Sequence, residues 1–356
     1  MNIALVHDYI PTLGGAEKVL AALAELYPEA PIYTAYYNPE LKLPFDRARL
    51  RTGFLQRFGK RASLFNPFLY LYFEDLDLRG YDVIISSGYF SKGLLTRPEQ
   101  SHINYCHTPP RFLYHLPSSR DWSGWRGILA APYFDWLRVW DFVSARRPQL
   151  IIANSQTVKQ RIAKWWRLDA TVVYPPVEIN PPSGQPSASG DYFLVVSRLE
   201  KYKNINLIIK AADQLKLSLK VAGTGALESS LRLQSGPTVE VLGWVDPSKL
   251  PELYQNCKAV IIAAQDEDFG IGALEAQAYG KPVIALRSGG LAETVIEGKT
   301  GVFFDQTTVE SLAGAFHSFG QTTFDSAACR ANAEKYSVER FMKEVGELVE
   351  NATNTN

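Results

Sequence analysis

Glu267 and Glu275 stand eight positions apart in the stretch EDFGIGALEAQAYGKPVIA, with Gly270 and Ile271 between them. Two carboxylates on successive turns of one helix would be an ordinary solvated face. The flanking pattern reads otherwise. The apolar run KAVIIAA has the look of a buried strand, QDEDFG of the loop at its carboxyl end, and IGALEAQAYG of a helix closed by Gly280. Glu267 then precedes the helix and Glu275 lies about one turn inside it, with the unsatisfied N–H groups of the helix start at Gly270 and Ile271 between them. A loop acid, an anion-binding helix end and a helix acid in a line form a cradle for hydroxyls, a phosphate and a ribose.

Cations come next. Arg198 and Lys203, in SRLEKYKN, follow the strand-like run DYFLVVSRL. Open α/β sheets bind ligands at the carboxyl ends of their strands, so this pair is placed to hold a diphosphate; surface charges at a strand exit would look the same if they stood alone. Gly14 and Gly15 lie between the first strand and its helix, where backbone N–H groups can approach a phosphate. A Gly-Gly pair is also simply a turn, and the G-x-G-x-x-G spacing is missing. In VAGTGALE, Gly223 and Gly225 follow another strand, but Glu228 occupies the place of a third glycine, which argues against a nicotinamide site. His107, in NYCHTPPR, follows a strand end, and His7 at the end of the first strand competes with it on equal terms. The triplets Asp75-Leu76-Asp77 and Asp266-Glu267-Asp268 have divalent-metal spacing. The first sits in an aromatic-rich segment with no strand before it, and the second overlaps the Glu267 site.

These residues need a frame. NIALVHDYI, PTLGG and AEKVLAALAELYP read as strand, loop and helix, and further strands at YDVIISS, SHINYCH and QLIIANS precede a helix at QTVKQRIAKWW. The Pro, Ser and Gly-rich VVYPPVEINPPSGQPSASG reads as an interdomain connection, after which strands and helices alternate again. The pattern predicts two parallel-sheet α/β domains, 1–175 and 176–337. The last segment, SVERFMKEVGELVE, is amphipathic, with Val338, Phe341, Val345 and Leu348 on one side, and is long enough to lie back across either domain.

Composition bounds the rest. The chain has 356 residues, 46 % of them apolar and 21 % charged, ordinary for a globular protein of about two domains. Three separated cysteines, Cys106, Cys257 and Cys329, suggest neither a disulfide framework nor a metal cluster, and a reducing cytoplasm is expected. No signal peptide or membrane-spanning run is read. The net charge of zero hides an asymmetry: residues 1–175 carry 21 Lys and Arg against 15 Asp and Glu, and the remainder 16 against 22. Residues 42–61 alone hold seven basic residues and one acid, with Phe54, Leu55 and Phe58 interleaved and Phe65 and Phe68 just beyond. This is either a solvated basic face or a segment that meets a membrane surface or phosphates.

Taken together, DEDFGIGALEAQAYGKPVIA resembles the E(x7)E signature of glycosyltransferase family 4, retaining enzymes of the GT-B fold, and LGGAE, SRLEKYKN, GTG and GWV accompany it in order. NYCHTPPRFLYH with EDFGIGALEAQAYGKPVIALRSGGLAETV is similar, more narrowly, to bacterial mannosyltransferases that build O-antigen and related polysaccharides from GDP-mannose. The resemblance implies two Rossmann-like domains facing a cleft, the first binding acceptor and the second the sugar nucleotide, with the final helix 338–356 returning to the first. It implies that Arg198 and Lys203 bind the donor diphosphate, that Glu267 holds hydroxyls of the transferred sugar, and that N–H groups near Gly270 and Ile271 meet the sugar or phosphate. Glu275 would hold the ribose, Val245 the base through its main chain, and Gly223 would line the donor loop. Gly14 and Gly15 would close on the phosphates, and His107, by family position rather than by its own pattern, would lie near the sugar ring. Tyr9 is named for the acceptor without a motif behind it. Gly272 and Ala273 depart from the Val and Pro that relatives often carry at the helix start.

The expected activity is metal-independent, retaining hexosyl transfer, with α-mannosyl moved from GDP-mannose to a lipid-linked or polysaccharide acceptor. No cofactor and no nucleic-acid partner are expected. The expected location is cytoplasmic, peripheral on the inner face of a membrane through residues 42–61. The other readings are the same fold using UDP-glucose, UDP-galactose or another sugar nucleotide, a GT-B-like protein that binds a sugar nucleotide without transfer, and, last, a dinucleotide oxidoreductase.

Overall fold

Short apolar runs such as Ile3–His7 and Val83–Ser87 are buried on both faces, as a central strand of a parallel sheet requires. In the computed structural model, which describes residues 1–114, 125–179 and 190–354, the runs assemble into two parallel sheets. The chain divides into two compact units, Met1–Pro176 with Val338–Asn356, and Val177–Ser337. Of the Pro-rich connection read from the sequence, residues 180–189 lie outside the described residues.

In unit 1 the strands are β1 Ile3–His7, β2 Ile32–Thr34, β3 Leu50–Thr52, β4 Val83–Ser87, β5 Ser101–Cys106, β6 Leu150–Ala153 and β7 Thr171–Val172. They lie in the order β3-β2-β1-β4-β5-β6-β7, all parallel. Successive residues of each strand point to opposite faces, so each face gathers its own core. Leu5, Val83 and Ile85 pack against α1 (Gly15–Leu26) and against the chain's last helix, Val338–Asn354, which inserts Phe341, Val345 and Val349. Ala4, Val6 and Ile84 pack against α2 (Leu69–Glu74), the 3₁₀ run Phe54–Phe68 before it, and α3 (Trp125–Ser144). α4 (Gln156–Trp165) is capped by the Ser155 hydroxyl, which accepts from Val158 N–H, and packs beside β6 and the edge strand β7.

In unit 2 the strands are β8 Tyr192–Val196, β9 Leu219–Ala222, β10 Val239–Gly243, β11 Cys257–Ile262, β12 Val283–Leu286 and β13 Gly301–Phe304, in the order β10-β9-β8-β11-β12-β13 and again parallel. Helices α5 Ile205–Gln214, α6 Glu228–Gln234, α7 Leu250–Asn256, α8 Ile271–Ala278, α9 Leu291–Thr294, α10 Val309–Gln321 and α11 Ser326–Glu334 cover its faces. In both sheets the chain first builds outward on one side and then returns to the other side of its first strand. Connections therefore diverge at β1/β4 in unit 1 and at β8/β11 in unit 2, leaving a crevice at the strands' carboxyl ends. No described helix is long and apolar enough to cross a membrane.

Candidate functional site

At the β8/β11 switch point two loops meet. The loop after β8 runs through Arg198 to a 3₁₀ turn, Lys201–Lys203, and ends at Asn204, whose left-handed backbone (φ 52°) turns the chain into α5. The loop after β11 carries Glu267 and ends at Gly270. Asn204 Nδ2 donates to the Ala263 carbonyl at 2.9 Å and Gln265 N–H to the Tyr202 carbonyl at 3.0 Å, so the two loops hold each other. Behind them, Asp266 N–H donates to Ser288 Oγ (2.9 Å) and Gly290 N–H to the Glu267 carbonyl (2.8 Å). A Cβ on Gly289 would lie 2.2 Å from that carbonyl, on a backbone at φ 59°, so only glycine lets this support approach.

The support places Glu267 against Lys203. Lys203 Nζ donates to Glu267 Oε2 at 2.7 Å, with both side chains largely buried. The family resemblance implies separate parts of a ligand for these two residues; the structure joins them in one ion pair. Arg198 is exposed and donates to the Tyr202 hydroxyl at 3.1 Å. Gly270 caps α8 with a left-handed backbone (φ 94°) and has no side chain to cap the helix, whose start borders a cavity. Within α8, the Glu275 carboxylate accepts from the Tyr254 hydroxyl at 3.2 Å. Tyr254 is buried and stacks on Tyr279 (ring centroids 5.2 Å apart), and burial, then the adjacent carboxylate, pushes its hydroxyl pKa well up, keeping it a donor. Arg198, Lys203, Glu267, Gly270, Gly272 and Glu275 all line one cavity of about 160 Å³. Val245 and Gly223 belong to neighbouring loops and do not line it. Gly223 has a local reason to be glycine: at φ 140°, a Cβ there would lie 1.8 Å from the Ser197 carbonyl.

Unit 1 fills its own switch point. The Asp8 carboxylate, just after β1, accepts the N–H groups of Tyr89, Phe90 and Ser91 after β4, at 2.8–3.1 Å. Gly14 N–H donates to Glu17 Oε2 at 2.8 Å, so the start of α1, where Gly14 and Gly15 lie, already has a carboxylate. His7 is buried with Nε2 3.8 Å from Glu17 Oε1, and His107 is half-buried with Nε2 2.9 Å from Ser87 Oγ. Their rings are 6.4 Å apart, edge to face, so the two competing histidines share one neighbourhood. Tyr9 stacks on Tyr36 and pairs its hydroxyl with that of Tyr89 at 3.2 Å.

The basic segment 42–61 divides. Arg49 donates to the carbonyls of Ala24, Tyr27 and Ala30, Arg51 to those of Ala48 and Leu50, and Arg47 to that of Leu41. Of the Asp triplets, Asp77 is bound by Arg79, at 2.6–2.7 Å, and among the described residues no three His, Cys, Asp or Glu side chains converge as an ion site. The three cysteines are free and buried, and burial pushes the Cys257 thiol up to about 12 and Cys329 to about 11. A larger groove, about 840 Å³, lies at the amino ends of β1 and β4; of the residues singled out in the sequence only Asp77 lines it. Sequence reasoning missed Asn204, Tyr254, Ser288, Gly289 and Gly290 as site supports. The Ser-Gly-Gly following a strand and the Asn preceding a helix were the available signals.

Two family descriptions match in tandem: "Glycosyltransferase Family 4" over residues 13–180 and "Glycosyl transferases group 1" over 178–336. The D-inositol 3-phosphate glycosyltransferase of Arthrobacter sp. (strain FB24) is 31 % identical over 128 residues, 32 % of this chain and 30 % of that protein. The glycogen synthase of Mycobacterium tuberculosis (strain CDC 1551 / Oshkosh) is 33 % identical over 135 residues, 35 % and 33 % of the two chains. The chain thus spans about a third of the length of these curated relatives. Among solved structures, the Anabaena HepE protein in complex with UDP and glucose superposes with a TM-score of 0.75 at 20 % identity, over 98 % of this chain and 99 % of that one. The sucrose-phosphate synthase of Thermosynechococcus elongatus gives 0.75 at 16 % identity over 100 % of both. With one family description on each parallel-sheet unit and that fold shared along the full length, the chain belongs to glycosyltransferase family 4 and has the GT-B fold.

Proposed function

We propose that this protein is a retaining, metal-independent glycosyltransferase that moves a hexosyl group, α-mannosyl from GDP-mannose, onto a lipid-linked or polysaccharide acceptor in cell-surface glycan synthesis. The observation that carries the reading is the β8/β11 cavity, where a cation, a loop acid, an uncapped helix start and a helix acid line one small space. At about 160 Å³ it takes the diphosphate and its flanks, and the rest of the donor lies over its mouth. Arg198 and Lys203 meet the charge that grows on the leaving diphosphate, and Glu267 faces the sugar hydroxyls while the ring gains positive charge. Each such fixed group is worth about 3 kcal/mol of barrier. Glu275, steadied by Tyr254, takes the ribose, and main chain at Val245 and Gly223 the outer part of the nucleotide. Unit 1 is assigned the acceptor, and His107, with Gly14 and Gly15, takes its donor-facing role on the resemblance alone. The mannosyl choice likewise rests on the NYCHTPPRFLYH resemblance. A UDP-hexose donor is the second reading, favoured by the UDP and glucose bound to the HepE protein of the same fold.

Melting temperature with GDP, UDP or ADP separates these readings, since a ligand of the native state at a hundred times its Kd stabilises by about 2.7 kcal/mol. GDP is expected to raise it; a rise with UDP alone sinks the mannosyl assignment. Glu267→Ala is expected to lower kcat by about 10²–10³-fold, and unchanged turnover would remove Glu267 from the mechanism.

A further inference from the structure

Large apolar side chains stand in solvent on two neighbouring elements of unit 1. The 3₁₀ run Phe54–Phe68 and α2, which continues it, bury Leu55, Ala62, Leu69 and Phe73 against one face of the first sheet. Their outer side is apolar as well: Leu64, Phe68 and Leu71 are 72, 58 and 47 % exposed, and Phe54 and Phe58 are exposed on either side of Arg57. α3 repeats the arrangement. Leu137 enters the same core, while Trp136, Val139 and Val143, at i, i+3, i+7 spacing, are exposed. The two elements adjoin, with Tyr70 of α2 6.1 Å from Trp140 of α3, edge to face, and Trp136 5.7 Å from Trp140. An outer face facing only water carries polar side chains; apolar stripes on adjoining helices mark a surface that meets another apolar phase.

Charge narrows what that phase is. Arg57 and Arg61 are exposed beside the stripe, and the exposed carboxylates on these elements are Asp75 and Asp135, the latter bound by Arg138. Cations interleaved with Phe, Leu and Trp on a helix that cannot span are the composition of an element lying in a headgroup layer. We propose that the surface formed by Phe54, Phe58, Leu64, Phe68 and Leu71 with Trp136, Val139 and Val143 of α3 docks in the plane of a phospholipid bilayer bearing anionic headgroups. The docking surface is thus not the stretch around Arg47, Arg49 and Arg51, which hold the chain's own carbonyls. The choice of a bilayer rests on the lipid-linked acceptor of the proposed function; the surface itself rests on these side chains.

The test is sedimentation of the full chain with phosphatidylcholine vesicles, with and without phosphatidylglycerol. Three double variants accompany it: Leu64→Ser with Phe68→Ser, Val139→Ser with Val143→Ser, and Arg57→Glu with Arg61→Glu. All six positions are exposed, and an unchanged melting temperature checks the fold. Binding to the phosphatidylglycerol vesicles, weakened about tenfold or more by each pair, is expected. Absence of wild-type binding at low salt, or binding unchanged in the variants, overturns the proposal. So does a wild-type dimer in solution that the serine variants make monomeric, since a second copy would then cover the face. Vesicle binding that follows the pattern in a protein that turns over no sugar nucleotide supports the docking surface and strikes the proposed function instead.

Discussion

Both units turn a buried strand into a helix that begins on glycine, and they finish that helix start in opposite ways. At α1 the cap is Gly14, in extended backbone (φ −132°), and the chain's own Glu17 accepts its N–H. The switch-point crevice beside it is also occupied, because Asp8 takes three backbone N–H groups from the loop after β4. At α8 the cap is Gly270, in left-handed backbone and without a side chain of its own to cap the helix, and Gly270 and Gly272 line a cavity. Both helices leave a strand beside the switch point of their sheet, α1 the first strand and α8 the fourth, and the placement of charge differs. Unit 1 thus supplies a carboxylate of its own at this helix start, whereas the start of α8 borders a cavity.

The sharpest way to break the comparison is Gly270→Ala. Alanine in left-handed backbone costs about 1–2 kcal/mol, and its Cβ would lie 2.8 Å from Leu291 Cδ2. A fall in melting temperature of about 2–8 °C is expected for a unit of this size, with loss of the nucleotide-induced shift. Gly14→Ala, on extended backbone and meeting only Glu17 Oε2 at 3.1 Å, should move the melting temperature less than half as far. Equal effects would mean that the two glycines do the same work. A smaller change, Tyr254→Phe, removes the hydroxyl that steadies Glu275. The loss of that hydrogen bond, about 1 kcal/mol, should raise the donor KM about fivefold with kcat nearly unchanged. A fall in kcat at constant KM would place Tyr254 outside donor binding.

The asymmetry explains what the sequence could disclose. Apolar runs with turn residues between them reveal parallel strands, because burial on both faces leaves no other composition. Glu267, Gly270 and Glu275 are legible for a related reason, since strand, loop and helix are contiguous in the chain and fix their order along one crevice. The Lys203–Glu267 ion pair is not legible. It joins loops 64 positions apart and depends on β8 and β11 being neighbours, which spacing does not encode. Tyr254 is hidden for the same reason, and Asp8 doubly so, because its partners are backbone N–H groups. The elements at 54–74 and 133–143 escaped periodicity because apolar residues occupy both their inner and outer sides.

The smallest expected effect tests the closed member of the pair. Burial by itself pushes the Glu17 carboxyl up, but the hydrogen bond and charge of His7, with the backbone N–H groups at the helix start, outweigh it and hold its pKa below the ordinary 4.5. A carboxyl with a depressed folded-state pKa stabilises the fold above its unfolded value, and that contribution disappears as pH falls through the folded one. Glu17→Gln keeps the side-chain shape and removes the charge. At neutral pH it should cost about 0.5–1 kcal/mol, the range for losing one side of a helix cap. The difference in stability between wild type and variant should then close as the pH is lowered past 4.5. Urea unfolding across that range reads it directly. A difference that persists or widens in acid would show that Glu17 does not close α1 through its charge, and the contrast with the open start of α8 would lose its electrostatic basis.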